Sequence, residues 1–364
     1  MKRNYTSKAG AAVLAGLLTM TLMGCGGTAS VEESAANRTQ STEVQIQEVE
    51  GQTASADAAN EGEAENGTYT ERDLEQTADT SEATSITVQS GQDVSITEAG
   101  VYVLSGAATD ATVSVNVDST EKVQLVLDGL SIQNEDAPAI NVLSADKVFV
   151  TTVQGSQNTL SVSGSITSND ETNVDAVIFS KDDLVLNGLG TLEISSADNG
   201  VSGKDDVKVT GGSYVITASS CGIEANDGIY VGGGSLSIEA QEGMEATVVQ
   251  IDDGTVGISA SDDGINATTK NDDGTTPCID ILGGEVTVTM AEGDTDALDS
   301  NGTLYISGGT VSITAQSAFD FDVAGELRGG TVYVNGEQVT SIESSMMGGG
   351  MGGAGMGNMR GGRV

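Results

Sequence analysis

The chain has 364 residues and a formal charge of −40, from 54 acidic and 14 basic residues, with no His and no Trp. That charge excludes nucleic acid as a natural partner, because a phosphate backbone needs Lys/Arg patches, and the lack of His and of any Cys-x-x-Cys excludes zinc and thiol–imidazole chemistry. With 3% aromatic residues and 49 Gly, one large globular core is hard to build, whereas thin layers lined by Val, Ile and Ala need none.

Residues 1–25 read as an export signal. Lys2, Arg3 and Lys8 make a basic start, and the apolar stretch 11–22 is too short to span a bilayer as a mature helix. It ends Leu22-Met23-Gly24-Cys25, which resembles a bacterial lipobox. The resemblance implies lipidation of Cys25 and an extracellular protein held on the outer face of the cell membrane, stably because more than one acyl chain is attached. Residues 26–84 are rich in Glu, Ser, Thr, Ala, Gln and Asn with no apolar period, so the entropy of ordering them is not offset. They are expected to form a disordered acidic tether.

The folded part is expected over 85–340. Ile86-Thr87-Val88, Val94-Ser95-Ile96 and Val101-Tyr102-Val103-Leu104 alternate as half-buried strands do. Short strands then recur to Thr331-Val332-Tyr333-Val334, with no helical period after the signal. From about 178 to 335 one phrase returns: an acidic or small residue, Gly, an apolar residue, a polar residue, a small residue, then a strand reaching Gly-Gly. Its apolar register residues are Ile178, Val201, Ile223, Met244, Ile265, Leu298 and Phe319. The steps hold one period of about 21–23 residues except where an insertion near 268–278 lengthens one. Such a period means a solenoid in which each unit buries its apolar face against its neighbours. With about three strands per repeat, the fold class is all-β, a right-handed parallel β-helix; a sandwich would not explain the spacing. Residues 341–364 form a Gly/Met-rich tail, expected to be disordered.

Stacking repeats turns a recurring carboxylate into a column, with coils about 4.8 Å apart. If the register residues point inward, the residue after each points out, and the residue two before lies on the other side of the small turn residue. The middle coils then carry two adjacent columns, Glu242/Asp263/Asp296 and Glu245/Asn266/Asp299, with Asp262 and Asp294 close by. Bare carboxylates at that spacing repel strongly; protonation or a hard cation relieves them. Calcium takes 6–8 oxygen ligands from carboxylates, Asn and carbonyls, and the Gly beside each acid is read as letting the turn bend and expose its carbonyls. The expected metal ligands are therefore Glu242, Glu245, Asp262, Asp263, Asn266, Asp294, Asp296 and Asp299, holding several Ca2+ ions, with the run from Glu292 to Gly302 the densest cluster. A merely solvated acidic face is the alternative.

Lys181-Asp182-Asp183 and Lys204-Asp205-Asp206 repeat in register and are expected to pair in alternation across coils. Lys181, Lys204, Lys208, Lys270 and Arg328 are the candidate bases for a polysaccharide lyase, though no catalytic motif flanks them and no catalytic residue is assigned. Core filling accounts for most aromatic residues; Tyr214, Tyr230 and Tyr305 would offer sugar platforms if they face out. Cys221 and Cys278 are expected as buried thiols, with a disulfide the alternative.

The runs Ala176-Val177-Ile178-Phe179-Ser180-Lys181-Asp182-Asp183-Leu184, Gly203-Lys204-Asp205-Asp206-Val207-Lys208-Val209-Thr210-Gly211-Gly212 and Pro138-Ala139-Ile140-Asn141-Val142 resemble the carbohydrate-binding-domain lipoproteins of anaerobic Gram-positive bacteria. The resemblance covers roughly 85–340. It implies a β-helix similar to pectate lyases, several bound calcium ions near Asp262, Asp263, Asn266, Asp294, Asp296 and Asp299, and binding of plant polysaccharides such as polygalacturonate or cellulose. This chain departs from the acid-Gly-apolar phrase at Cys221-Gly222 and Ser317-Ala318. The expected function is a monomeric, surface-anchored, calcium-loaded β-helix that binds polysaccharide without catalysis. The alternatives are a calcium-dependent lyase and a structural stalk or adhesin.

Overall fold

The computed structural model describes residues 67–166, 173–271, 273–293 and 295–344. The export signal with Cys25, most of the tether, Asp294 and nearly all of the Gly/Met tail lie outside the described residues.

The chain winds as a parallel β-helix with three strands per coil. The first face stacks Lys147–Thr152, Asp183–Gly188, Val207–Val209, Gly228–Val231, Val248–Ile251, Cys278–Ile281, Thr303–Ile306 and Ala324–Leu327. The second stacks Gln157–Val162, Thr191–Ser196, Ser213–Ala218, Ser235–Ala240, Thr255–Ala260, Glu285–Met290, Thr310–Thr314 and Thr331–Val334. The third is a ten-stranded sheet that includes Ala176–Ser180, Asn199–Gly203, Cys221–Ala225, Glu242–Ala246, Asp263–Ala267, Asp296–Ser300 and Ser317–Phe321. Near the start, the long strands Gly100–Thr109 and Lys122–Asn134 run round the corner between the first two faces. At the far end Glu337–Val339 closes the stack by pairing antiparallel with Thr331–Val334.

The register read from the repeat is the register of the third face. Ile178, Val201, Ile223, Met244, Ile265, Leu298 and Phe319 are successive cross-strand partners. All seven are buried, most at 0% exposure, so one column of apolar side chains runs up the core. Each coil buries little by itself, and the column becomes continuous only through stacking.

Two kinds of glycine hold this geometry. In the Gly-Gly turns between the first and second faces, the second residue takes φ of +82 at Gly212 and Gly234, a conformation L side chains rarely adopt. The glycine of the acid-Gly-apolar phrase works differently. Gly243 lies inside a strand, and a Cβ there would sit 2.3 Å from the Gly264 carbonyl oxygen and 2.5 Å from Ile258. It is therefore kept small for close packing against the coil above and the second face. This replaces the expectation that it bends a turn and exposes carbonyls.

Residues 67–83 correct the expected tether. They are not a free leader; they cross the outer side of the first face as a strap. Tyr69 donates from its hydroxyl to Asp252 at 2.7 Å, and Gln76 donates to the Thr210 carbonyl at 3.1 Å. Asp73, fully buried, meets Lys147 at 3.3 Å and Lys208 at 3.7 Å. The reason is polar: the strap has no apolar period, so its order comes from hydrogen bonds and charge pairs with distant coils. Cys221 and Cys278 are free thiols.

Candidate metal and glycan site

The third face places the acids where the repeat predicts. Cys221 pairs with Glu242, and Asp263, Asp296 and Ser317 follow as partners further along the same column. Beside it run Ser202, Glu224, Glu245, Asn266, Asp299 and Asp320, each the cross-strand partner of the next. Alternation turns the column after the inward residues outward, and the part-exposed Glu242, Asp263 and Asp296, two residues before them, break that alternation to lie on the same side.

Crowding shows in the proton affinities. Burial, then Glu245, Asp263 and Asp262, lift the Glu242 carboxyl to about 7. Burial lifts Asp263 to about 6, helped by Asp262, Asp296 and Glu245 and opposed by the Asp296 amide, which donates to it at 3.3 Å. Burial, then Asp263, Asp320, Asp296 and Asp322, lift Asp299 to about 7. Asp320 and Asp322 thus join the cluster, although the predicted ligand set did not include them.

The columns do not converge equally. Among the described residues, ligand atoms of three acid or thiol groups come within 4.8 Å of one another at Cys221, Glu242 and Glu245, and at Asp205, Asp206 and Asp227. The first group lies N-terminal to the run from Glu292 to Gly302. Carboxylates nearer that run are turned to other partners: Asp296 accepts from the Ser317 hydroxyl and Asp263 accepts from the Asp296 amide. Asp262 accepts from Gln241 at 3.1 Å. Asp262 also lines a shallow groove of about 750 Å³ at the corner between the second and third faces, with Glu239, Gln241, Ser261 and Met290.

Oxygen donors on adjacent coils fit a hard cation such as calcium. Asn266 adds a specific sign. Its Nδ2 donates to Glu242 at 3.4 Å, while its Oδ1 is buried with no hydrogen-bond partner. A buried carbonyl without a partner is costly, and a cation between Glu245 and Asp299 would satisfy it. Cys221 suits a hard ion less. Burial, then the neighbouring glutamates, push its thiol pKa well up, and the thiol donates to Glu245 at 3.5 Å, so it is not a thiolate ligand.

Lys270 is the residue the columns did not foretell. It reaches from the insertion to Glu224 at 3.0 Å and Glu245 at 2.7 Å. The insertion is pinned by Asn271 to Asp227 and by the Lys270 amide to Thr247 at 3.2 Å. Glu245 is therefore already paired with a cation from within the chain, one it shares with Glu224. Lys270 is a poor base: burial works against its charge, but hydrogen bonds to Glu245 and Glu224 outweigh it and raise its pKa.

The Lys-Asp-Asp doublets do not pair in alternation. Lys204 lies 3.9 Å from Asp175 and donates to Ser202 at 3.2 Å, while Lys147 takes Asp183 at 3.4 Å. Asp205 and Asp206 instead face Asp227 one coil on. Burial and then Asp183 push both up, Asp206 to about 7. Of the three tyrosine platforms, Tyr214 is excluded, being 1% exposed with its hydroxyl on the Asn187 carbonyl at 3.0 Å. Tyr230 and Tyr305 face outward on the first face, where Arg328 covers Tyr305 at 3.5 Å.

A family profile for carbohydrate-binding domain-containing proteins matches residues 90–338. A curated relative from Acetivibrio thermocellus, described as a carbohydrate-binding domain-containing protein, is 32% identical over 132 residues. That stretch is 35% of this chain and 46% of the relative, so the chain spans less than half of the relative's length. A solved structure described as the polysaccharide lyase-like protein from C. thermocellum, gadolinium derivative, aligns over 69% of this chain and 94% of that chain, at 24% identity with a TM-score of 0.47.

Proposed function

The chain belongs to the family of carbohydrate-binding domain-containing proteins, and from that premise we propose that it binds an acidic polysaccharide through calcium held on the carboxylate columns of its third face, without cleaving it. The observation that carries this reading is the partnerless Asn266 oxygen between Glu245 and Asp299, in a column whose acids burial and mutual repulsion drive toward neutrality. Calcium bound there would supply positive charge shared between protein carboxylates and uronate carboxylates. That sharing explains how a chain of charge −40 could hold an acidic polymer. Glu242, Asn266 and Asp299 would hold the ion, Asp263 and Asp296 would contribute where their present partners release them, and the corner groove beside Asp262 would seat the sugar chain. Anchoring at Cys25 on the cell exterior completes the reading.

Full-length protein should be assayed for binding to polygalacturonate in calcium and in EGTA, with cellulose beside it. Retention in calcium and loss in EGTA supports the bridge. Equal retention in both rejects it. Membrane fractionation of a Cys25→Ala variant tests the anchor, which predicts release to the soluble fraction.

A further inference from the structure

The strap covers a cluster of basic side chains set among the acids Asp183, Asp206 and Asp252. Of eight Lys and Arg side chains described, Arg72, Lys147 and Lys208 meet here. Arg72 belongs to the strap and lies over Phe149 at 4.5 Å; the two lysines belong to the face and grip Asp73. Lys208 also stands 5.9 Å over the Tyr230 ring. In a chain so acidic, this pairing of lysines and aromatic rings on one face calls for an account.

The face beneath the strap is mostly a donor surface. Lys147 and Lys208 give to the Asp73 carboxylate, and the Thr210 hydroxyl gives to the Asp73 carbonyl. Asn187 Nδ2 gives to the Glu75 carbonyl at 3.0 Å, the Gly188 amide gives to Gln76 at 3.0 Å, and Gln250 gives to the Thr68 hydroxyl at 3.3 Å. The strap answers chiefly with acceptors: one carboxylate, two carbonyls, a side-chain amide oxygen and a hydroxyl. These are the groups an oligouronate presents along its length.

The strap lacks the apolar anchoring of a permanent part of the core. Asp73 is its one buried residue between 67 and 82, and Leu74 is 50% exposed. Polar contacts carry most of the attachment, and a polar polymer can replace such contacts one for one. The strap also runs along the stack, from the coil of Phe149 to that of Gln250, so its footprint is that of an extended chain.

We propose that Lys147 and Lys208, with Phe149 and Tyr230 beside them, form a second carboxylate-binding subsite for a uronate chain, and that residues 67–77 are its built-in occupant, with Asp73 in the place of a uronate carboxylate. The subsite is closed in the resting protein and needs no calcium, because the Lys147 and Lys208 ammonium groups supply the charge, Lys147 shared with Asp183. It rests on the acidic-glycan reading above, but its chemistry and its place on the first face are separate.

The test places a protease recognition sequence at the exposed residues 79–82 of the full chain. After folding, the protein is cut there, which frees the strap while the β-helix stays whole. The probes are oligogalacturonate and a neutral cello-oligosaccharide, both in EGTA. The cut protein should release the strap fragment as oligogalacturonate is added and bind that probe at least about tenfold more tightly than uncut protein does. The neutral probe should not distinguish the two. Lys208→Met in the cut protein should remove the gain while leaving the β-sheet circular dichroism unchanged. The proposal is overturned if the cut protein keeps its circular dichroism yet binds oligogalacturonate no better than uncut protein. It is equally overturned if the strap fragment stays bound at saturating oligogalacturonate. Uncut protein in calcium reports on the third face, so failure there leaves this result separately readable.

Discussion

Replacing Glu242 with Gln should stabilise the metal-free protein at pH 8, although it removes a carboxylate from a candidate site. Folding lifts the Glu242 carboxyl to about 7, from about 4.3 in an unfolded chain. A folded-state value above the unfolded one means folding favours the protonated form. That stability is fully present below about pH 4 and is lost as pH rises through about 7. Between pH 5 and pH 8 the loss would reach about 2–3 kcal/mol without screening, and about 1–3 kcal/mol once the partial exposure of Glu242 is allowed for. Gln keeps the shape and carries no charge, so Glu242→Gln should recover most of that loss at pH 8. For a chain of this size the gain corresponds to a rise in melting temperature of about 1–5 °C. The assay is thermal unfolding by circular dichroism in EGTA at pH 5 and pH 8. Wild type should melt lower at pH 8 than at pH 5, and the variant should narrow that gap. A variant melting at or below wild type at pH 8 in EGTA would refute the claim that the column is electrostatically frustrated. Asp73, which Thr70, Lys147 and Lys208 hold low against the upward push of burial, acts only at more acid pH and stays outside this window.

Three further outcomes follow from the same geometry. Gly243→Ala should cost about 1–3 kcal/mol by overpacking, because its Cβ would meet the Gly264 carbonyl at 2.3 Å; chemical denaturation would show it, and unchanged stability would disprove the close-packing account. Lys270→Met leaves Glu224 and Glu245 without their ammonium, so the metal-free protein should lose stability at pH 8 while its calcium affinity rises; calorimetry showing weaker calcium binding would contradict this. Thiol labelling with and without denaturant should find Cys278 reacting ahead of the buried Cys221 in the native state, and the reverse order would misplace that strand.

The coil geometry was legible because it repeats. A single period places Ile178, Val201, Ile223, Met244, Ile265, Leu298 and Phe319 in one column, and the same count carries Glu245, Asn266 and Asp299 onto the opposite side. What does not repeat was not legible. Asp73 finds Lys147 and Lys208 across 74 and 135 residues, and a lone acid in a polar leader gives no sign of that. Lys270 reaches Glu224 because an insertion folds back, and the length of an insertion does not encode its path. The direction of Tyr214, left open by the sequence, is set locally: in Ser213–Ala218 it occupies an inward position, paired with Leu192 and Leu236. The glycine of the repeated phrase was correctly singled out and wrongly explained, since a turn and a tight interface both demand a missing Cβ.

Calorimetric titration of calcium into metal-stripped, full-length protein at pH 7, in two buffers of different ionisation enthalpy, bears most directly on the acid columns. Binding with release of protons is expected, because Glu242 and Asp299 are partly protonated before the ion arrives, and both the heat and the proton release should fall in a Glu242→Gln, Asp299→Asn double variant. Absence of calcium heat in the wild type, or a double variant that titrates like the wild type, would contradict the account.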